Sequence, residues 1–285
     1  MARDVRLVAI VLVALGLLLQ QGVARLASRP AGSASGHDAR PPLVDLRFAG
    51  SDSYVEVPSS PDFSLGAAGL TVAVWMRPDV LTFSKTEGSQ ATEQYVHWLG
   101  KGERGQYEWT FRMYSLSTPP GPRQNRISFY VFQPSGGRGC GSYFQDPITP
   151  GEWIQVVGVA DAATRQTAIY KNGRYRHSDS YATLTLGAAS APFRIGTRDL
   201  ASFFQGAIGP VRIWDRPLRE GEIHALYTSG VVPSHGLKAQ FLLNEGTGTV
   251  VRDTERGHEG RMIGARWDRG VHSVGTATGR SGGGC

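Results

Sequence analysis

The sequence predicts an all-β protein, a two-sheet antiparallel jelly-roll β-sandwich with one short helix. Three observations predict it. Several short runs alternate apolar and polar residues with period two, as strands with one buried face do. Gly, Asn, Asp and Pro punctuate those runs. Only one stretch carries a convincing helical pattern. A chain of 285 residues suffices for one large sandwich with short extensions, because such domains often run past about 200 residues as one unit.

In chain order, Val44, Leu46 and Phe48 alternate with Asp45 and Arg47. Leu70, Val72, Val74 and Met76 face one way while Thr71, Ala73, Trp75 and Arg77 face the other. Trp109, Phe111 and Met113 alternate with Glu108, Thr110 and Arg112, and Ile127, Phe129 and Val131 with Ser128, Tyr130 and Phe132. Trp153 to Ala160 reads as a strand buried on both faces. Asn172-Gly173, between Ala168-Ile169-Tyr170 and Tyr175, is the residue pair that a two-residue hairpin turn with positive φ at both positions favours. The helix is Glu220, Glu222, Ile223, Leu226 and Tyr227, ending before Gly230, with its acidic residues at the positive end.

The ends of the chain address compartment. Arg3 and Arg6 precede an apolar run from Leu7 to Leu19, and Gly22-Val23-Ala24 offers small residues for cleavage, so residues 1–24 read as a signal peptide. The alternative is an uncleaved short membrane anchor. Either way the rest of the chain is expected to be secreted, periplasmic or at the cell surface. Residues 25–42 read as a disordered linker, 43–232 as the main domain, 233–271 as a segment completing its edge, and 272–285 as a flexible tail. Cys140 and Cys285 are the only cysteines, so a Cys140–Cys285 bridge is the one intramolecular disulfide available. No stretch resembles a nucleic-acid motif. The formal charge is +6. Lys85, Lys101, Lys171 and Lys238 are the only lysines among the thirty basic residues. Forked guanidiniums suit the carboxylates or sulfates of acidic glycans; a GC-rich genome that writes Arg for Lys explains the bias equally well.

Four stretches, in order, carry a resemblance: LRFAGSDSYVEV (Leu46–Val57), GLTVAVWMRP (Gly69–Pro78), GEWIQVVGVAD with TAIYKNGR (Gly151–Asp161 and Thr167–Arg174), and FFQGAIGPVRIWDRPLREGEIHALY (Phe203–Tyr227). From Leu46 to Tyr227 the chain resembles the laminin-G-like, concanavalin A-like lectin/glucanase jelly rolls, and its last stretch also resembles the pentraxins. The resemblance implies an exported module that binds carbohydrate. Related jelly rolls hold a structural calcium ion with an acidic residue near the place of Gly209 and Pro210. With no carboxylate there, no metal and no other cofactor is expected, and Asp52, the remnant candidate ligand, more simply shapes a turn with Ser51 and Ser53. Residues Gly236 to Gly270 resemble a segment that usually precedes such a jelly roll. Here that segment either supplies an edge strand or is the stub of a lost repeat; the apolar Phe241, Leu242, Leu243, Ile263 and Trp267 favour the first.

No catalytic constellation is evident. Retaining glycosidases need two carboxylates about 5–5.5 Å apart, and related enzymes place them as Glu-x-Asp-x-x-Glu, which is absent; Glu103 with Glu108, and Glu220 with Glu222, are not credible dyads. The seven histidines show no His-Glu-x-x-His spacing, and no Ser sits in a nucleophile-elbow context, the Gly-x-Ser-x-Gly of Gly279–Gly283 falling in the tail. The chain therefore reads as a non-catalytic module whose partner is an extracellular or cell-wall glycan, with acidic glycans preferred. The alternatives are an extracellular protein-interaction module and a lyase using Arg, Tyr and His on one sheet. Candidate ligand contacts are Trp98, Tyr107, Tyr114, Tyr130 and Tyr143, while Trp75, Trp109, Trp153 and Trp214 are assigned to packing.

Overall fold

The computed structural model describes residues 44–269, all within one compact unit, Asp38–Cys285. The expected signal peptide, linker and tail, and with them Cys285, lie outside the described residues. Two antiparallel sheets of eight strands face each other. Sheet A runs β10 (Arg174–Ser180), β9 (Gln166–Lys171), β8 (Ile154–Asp161), β3 (Gly69–Pro78), β12 (Gln205–Trp214), β1 (Val44–Ala49) and β16 (Arg266–Arg269). Its eighth strand, β13 (Leu237–Phe241), pairs with Val211–Trp214 of β12, whose other end pairs with β1. Sheet B runs β14 (Val250–Arg252), β15 (Glu259–Ile263), β2 (Tyr54–Val57), β11 (Phe193–Ile195), β4 (Tyr95–Lys101), β5 (Trp109–Tyr114), β6 (Ile127–Phe132) and β7 (Gly139–Phe144). Residues 237–269 thus contribute strands to both sheets.

Period two in these strands becomes a core between the sheets. Leu46, Val72, Val74, Met76, Val156 and Ile208 of sheet A meet Val55, Val57, Val96, Phe111, Phe129 and Phe193 of sheet B. Each such side chain contributes about 1.5–3 kcal/mol by leaving water. The faces interlock: Gly158 on β8 makes room for the Phe129 ring, which a Cβ there would approach to 2.4 Å. A large residue at 158 would force the sheets apart.

Alternation alone would leave the outer face of sheet A wet, and at its centre this does not hold. Ala73, Val157, Val159, Tyr170 and Trp214 form a second apolar cluster with Leu218, Ile223, Leu226 and Leu237. The helix α1 (Glu220–Thr228) is the cover. Its first turn is fixed when the Arg219 backbone N–H donates to Glu222 at 2.8 Å, and Arg216 clamps the same carboxylate with contacts of 2.9 and 2.6 Å. Those two guanidinium bonds, ahead of the Arg219 N–H, hold the Glu222 carboxyl down at about 2. The outer face of sheet B has no comparable helical cover among the described residues.

The turn between β9 and β10 has Asn172 at φ 51° and Gly173 at φ 71°, the left-handed pair a two-residue hairpin requires. Gly173 is also crowded, since a Cβ would sit 2.7 Å from that of Tyr227. Gly173→Val therefore combines a β-branched residue at positive φ with a steric clash, and should lower stability by at least about 1 kcal/mol. Chemical denaturation measures this; an unchanged midpoint would contradict the turn.

Candidate functional site

On strands β4 to β7 of sheet B the outward register carries polar and aromatic residues in rows. One row is His97, Arg112, Ser128 and Tyr143; beside it lie Thr110, Tyr130 and Gly141, and Tyr95 faces Tyr114. The long side chains stack as alternating cations and rings. The Arg112 guanidinium lies 4.0 Å from the Tyr95 ring centre and 4.6 Å from that of Tyr130. Arg126 lies 3.9 Å from Tyr143, and Arg198 lies 4.1 Å from Tyr107 and 5.3 Å from Phe132. Each such contact contributes about 0.5–1 kcal/mol where exposed and more where dry. Burial pushes the Tyr95, Tyr107 and Tyr130 phenols above their ordinary range against the pull of the neighbouring guanidiniums. The rings stay neutral, so the positive charge of the layer belongs to its arginines.

What fixes Arg112 is a chain of hydrogen bonds across β4. Arg112 Nε donates to His97 Nε2 at 3.3 Å, which leaves the imidazole proton on Nδ1, donating to Glu87 Oε1 at 2.7 Å. Ser202 Oγ donates to the same Glu87 oxygen at 2.8 Å. His97 is 1% exposed; burial first, then the Arg198 and Arg112 charges, push it well below the usual histidine range, with Asp199 opposing. His97 is therefore a neutral acceptor, and it orients Arg112 without cancelling its charge. Glu87, His97 and Asp199 bring one donor atom each within 4.8 Å of one another. They do not fit a metal ion: His97 Nδ1 holds its proton, Arg198 binds Asp199, and two guanidiniums stand beside the set.

The sequence-derived candidates separate in the structure. Tyr130 and Tyr143 lie half-buried in the outward layer, Tyr107 stacks on it from the β4–β5 loop, and Tyr114 sits within it at 2% exposure. Trp98 does not belong to the site. It is fully buried, 5.0 Å from Phe111 and 6.2 Å from Phe204 between ring centres, because it shares the inward register of Val96; the bulge after His97 then turns Leu99 to the core as well. Of the tryptophans assigned to packing, Trp109 and Trp214 are buried, Trp75 stacks on Tyr227, and half-buried Trp153 lies under Arg77. Cys140 has no disulfide partner among the described residues, and its Sγ donates to Ser180 O at 3.0 Å. Burial, with Asp179 nearby, pushes that thiol up to about 11.

The carboxylates of the Glu103–Glu108 pair are committed elsewhere. Glu108 binds the buried Lys101, Ser64 and the Ala189 N–H, and Glu103 joins Glu56 on Arg194. A cross-strand pair that alternation did not single out, Asp45 opposite Asp268, lies on the outer face of sheet A. Burial, against the pull of Arg77, pushes the Asp45 carboxyl up to about 6. At 6% exposure, with Arg77 3.6 Å away, Asp45 is closed to a polysaccharide.

Among the described residues, the surroundings of Asp52 do not fit a calcium ion. The hollow beside Asp52, of roughly 390 Å³, is lined by Arg47, Phe48, Ala49, Gly264 and Arg266, so one carboxylate faces two guanidiniums. Asp52 itself accepts from Ser51 Oγ at 2.8 Å, and Ser53 Oγ accepts the Ala49 N–H at 2.6 Å, as in a side-chain-stabilised turn. A hard cation wants several oxygens and no competing cations. Melting temperatures in chelator and in millimolar calcium should coincide. A bound ion would stabilise by about 2.7 kcal/mol at one hundred times its dissociation constant, so a rise of several degrees with calcium would contradict this.

With the geometry in hand, likeness to known proteins can be placed. A laminin-G-type family model, described as the concanavalin A-like lectin/glucanases superfamily, matches residues 49–224. No curated protein matches the chain. A solved structure from Bacteroides ovatus, titled a "putative carbohydrate binding protein", superposes with a TM-score of 0.54 at 18% identity. That match covers 80% of this chain, and this chain spans 61% of that one, less than two thirds of its length. A heptameric SAP-like pentraxin from Limulus polyphemus aligns with a TM-score of 0.49 at 14% identity, covering 68% of this chain and 87% of the pentraxin. The Bacteroides ovatus likeness concerns the fold alone, and the family match spans more than half of the sequence: the chain belongs to the concanavalin A-like lectin/glucanase superfamily.

Proposed function

We propose that the protein binds carbohydrate without cleaving it, through the outward face of β4 to β7, and prefers acidic glycans. One observation carries this reading: Arg112 and Arg126 are held against tyrosine rings with no carboxylate partner among the described residues. On the same sheet Arg194 has two, Glu56 and Glu103. Rings offer apolar faces to sugar rings, and an unneutralised guanidinium offers a paired set of donors to an acid group. Membership of the lectin/glucanase superfamily and the likeness to the Bacteroides ovatus structure, described as a "putative carbohydrate binding protein", support the same ligand class.

Non-catalysis rests on the carboxylates weighed as dyads: Glu103 and Glu108 are held by Arg194 and Lys101, and Glu220 and Glu222 belong to α1. A lyase drawing on Arg, Tyr and His would need an imidazole that touches substrate: His97, on this face, is 1% exposed with both ring nitrogens engaged, which leaves half-buried His177, its ring centre 4.7 Å from that of Tyr143, as the imidazole such a reaction would have to use. The reading also places the domain outside the cytosol, resting on the export pattern of residues 1–24.

Binding to polyuronates should weaken steadily with salt, because the Debye length falls from about 10 Å at 0.1 M to about 3 Å at 1 M. Tyr130→Ala, which removes one of the two rings holding Arg112, should cost about tenfold in affinity. Calorimetric titration checks both, and a reducing-end assay on the same mixtures should stay at background. Release of reducing ends would refute the non-catalytic half; salt-insensitive binding to neutral glucans alone would refute the acidic preference.

A further inference from the structure

Acidic glycans carry carboxylates, sulfate esters or both, and the surroundings of Tyr114 discriminate between them. The Tyr114 hydroxyl accepts from Arg112 Nη1 at 3.4 Å and from Arg123 Nη1 at 3.3 Å. The Arg126 guanidinium stands 6.0 Å from the same ring centre and that of Arg123 5.7 Å. Three cations therefore gather round one buried phenol. Among the described residues the one carboxylate paired with them is Glu93, 3.4 Å from Arg123 Nη1. Arg112 spends its Nε on the neutral His97, and Arg126 spends Nε and Nη2 on the Gln145 amide oxygen at 3.1 and 2.9 Å. Unused donors remain on all three: Arg112 Nη2, Arg123 Nε and Nη2, and Arg126 Nη1 make no hydrogen bond to the described residues.

A carboxylate offers two oxygens in one plane, and one forked guanidinium saturates it. Three guanidiniums, one from β5 and two from the loop that leads into β6, exceed what one carboxylate can use. A sulfate ester presents three terminal oxygens in a pyramid, one for each cation. We propose that Arg112, Arg123 and Arg126 form a subsite for a sulfate ester on the bound glycan. This rests on the glycan-binding reading above and names the group the face selects. Preorganisation favours it: Arg112 is clamped by two rings and His97, so little rotamer entropy remains to be lost on binding. His97 matters as an uncharged acceptor, because a carboxylate in its place would neutralise the cation the ester needs.

Calorimetric titration of the full chain with chondroitin sulfate, and with the same chains chemically desulfated, separates the two groups, since both polymers keep their uronates. At low salt the sulfated chains should bind at least about tenfold tighter. Arg123→Gln, at a half-exposed loop position where folding is not at stake, should remove most of that advantage, with a far smaller loss of affinity for the desulfated chains. Equal affinity for the two polymers would overturn the subsite while glycan binding stands, as would an Arg123→Gln variant that keeps the full preference. Failure to bind any glycan, acidic or neutral, would overturn the reading beneath it as well.

Discussion

Much of the molecule depends on the single register shift in β4. Up to His97 the strand alternates normally, with Val96 inward opposite Met113 and His97 outward opposite Arg112. Past the shift Leu99 joins Trp98 in the core, Gly100 faces out and Lys101 faces in. The inward turn of Lys101 obliges a partner, because an unpaired ammonium inside a sandwich is untenable; Glu108 supplies it, with the Ala189 carbonyl at 2.6 Å. The outward position of His97 places a neutral acceptor under Arg112. One extra residue in one strand therefore sets a corner of the core, the β4–β5 connection and the orientation of the central cation.

The two outer faces have diverged because one is covered and the other is not. On sheet A, α1 and the chain around Leu218 and Leu237 bury the outward residues of β3, β8 and β12. On sheet B the β2–β11 half is neutralised by Glu56 and Glu103 around Arg194, leaving the β4–β7 half with cations held by rings. Ring stacking suits that task because it fixes a guanidinium without removing its charge, as a carboxylate would. Binding then costs little reorganisation and meets a charge already in place.

Local signals were legible and long-range ones were not. Asn172-Gly173 specified its turn because both positive φ angles lie within the pair, and Val72, Val74 and Met76 marked their strand because period two is local. Tyr107, Tyr114, Tyr130 and Tyr143 were recognisable as outward or strand-end aromatics. Their arginines were not, since Arg112 meets Tyr130 across strands and Arg126 meets Tyr143 from a loop. The outward registers Thr110-Arg112-Tyr114 and Ser128-Tyr130-Phe132 held a usable signal, had they been laid side by side. Trp98 was misplaced because the bulge obscures alternation in Tyr95–Lys101. The burial of Ala73 and Trp214 depends on a helix distant in sequence. Likewise β13 to β16 are short, and each is recognisable only beside the strand it pairs with.

Arginine footprinting with phenylglyoxal, read by mass spectrometry with and without a bound acidic polysaccharide, tests the central claim most directly. If ligand lies on the outward face of β4 to β7, Arg123 and Arg126 should lose reactivity. Arg174 and Arg252, which are exposed on other strands, should keep theirs. Unchanged reactivity at Arg123 and Arg126, or protection at Arg219 beside α1 instead, would show that the glycan is held elsewhere.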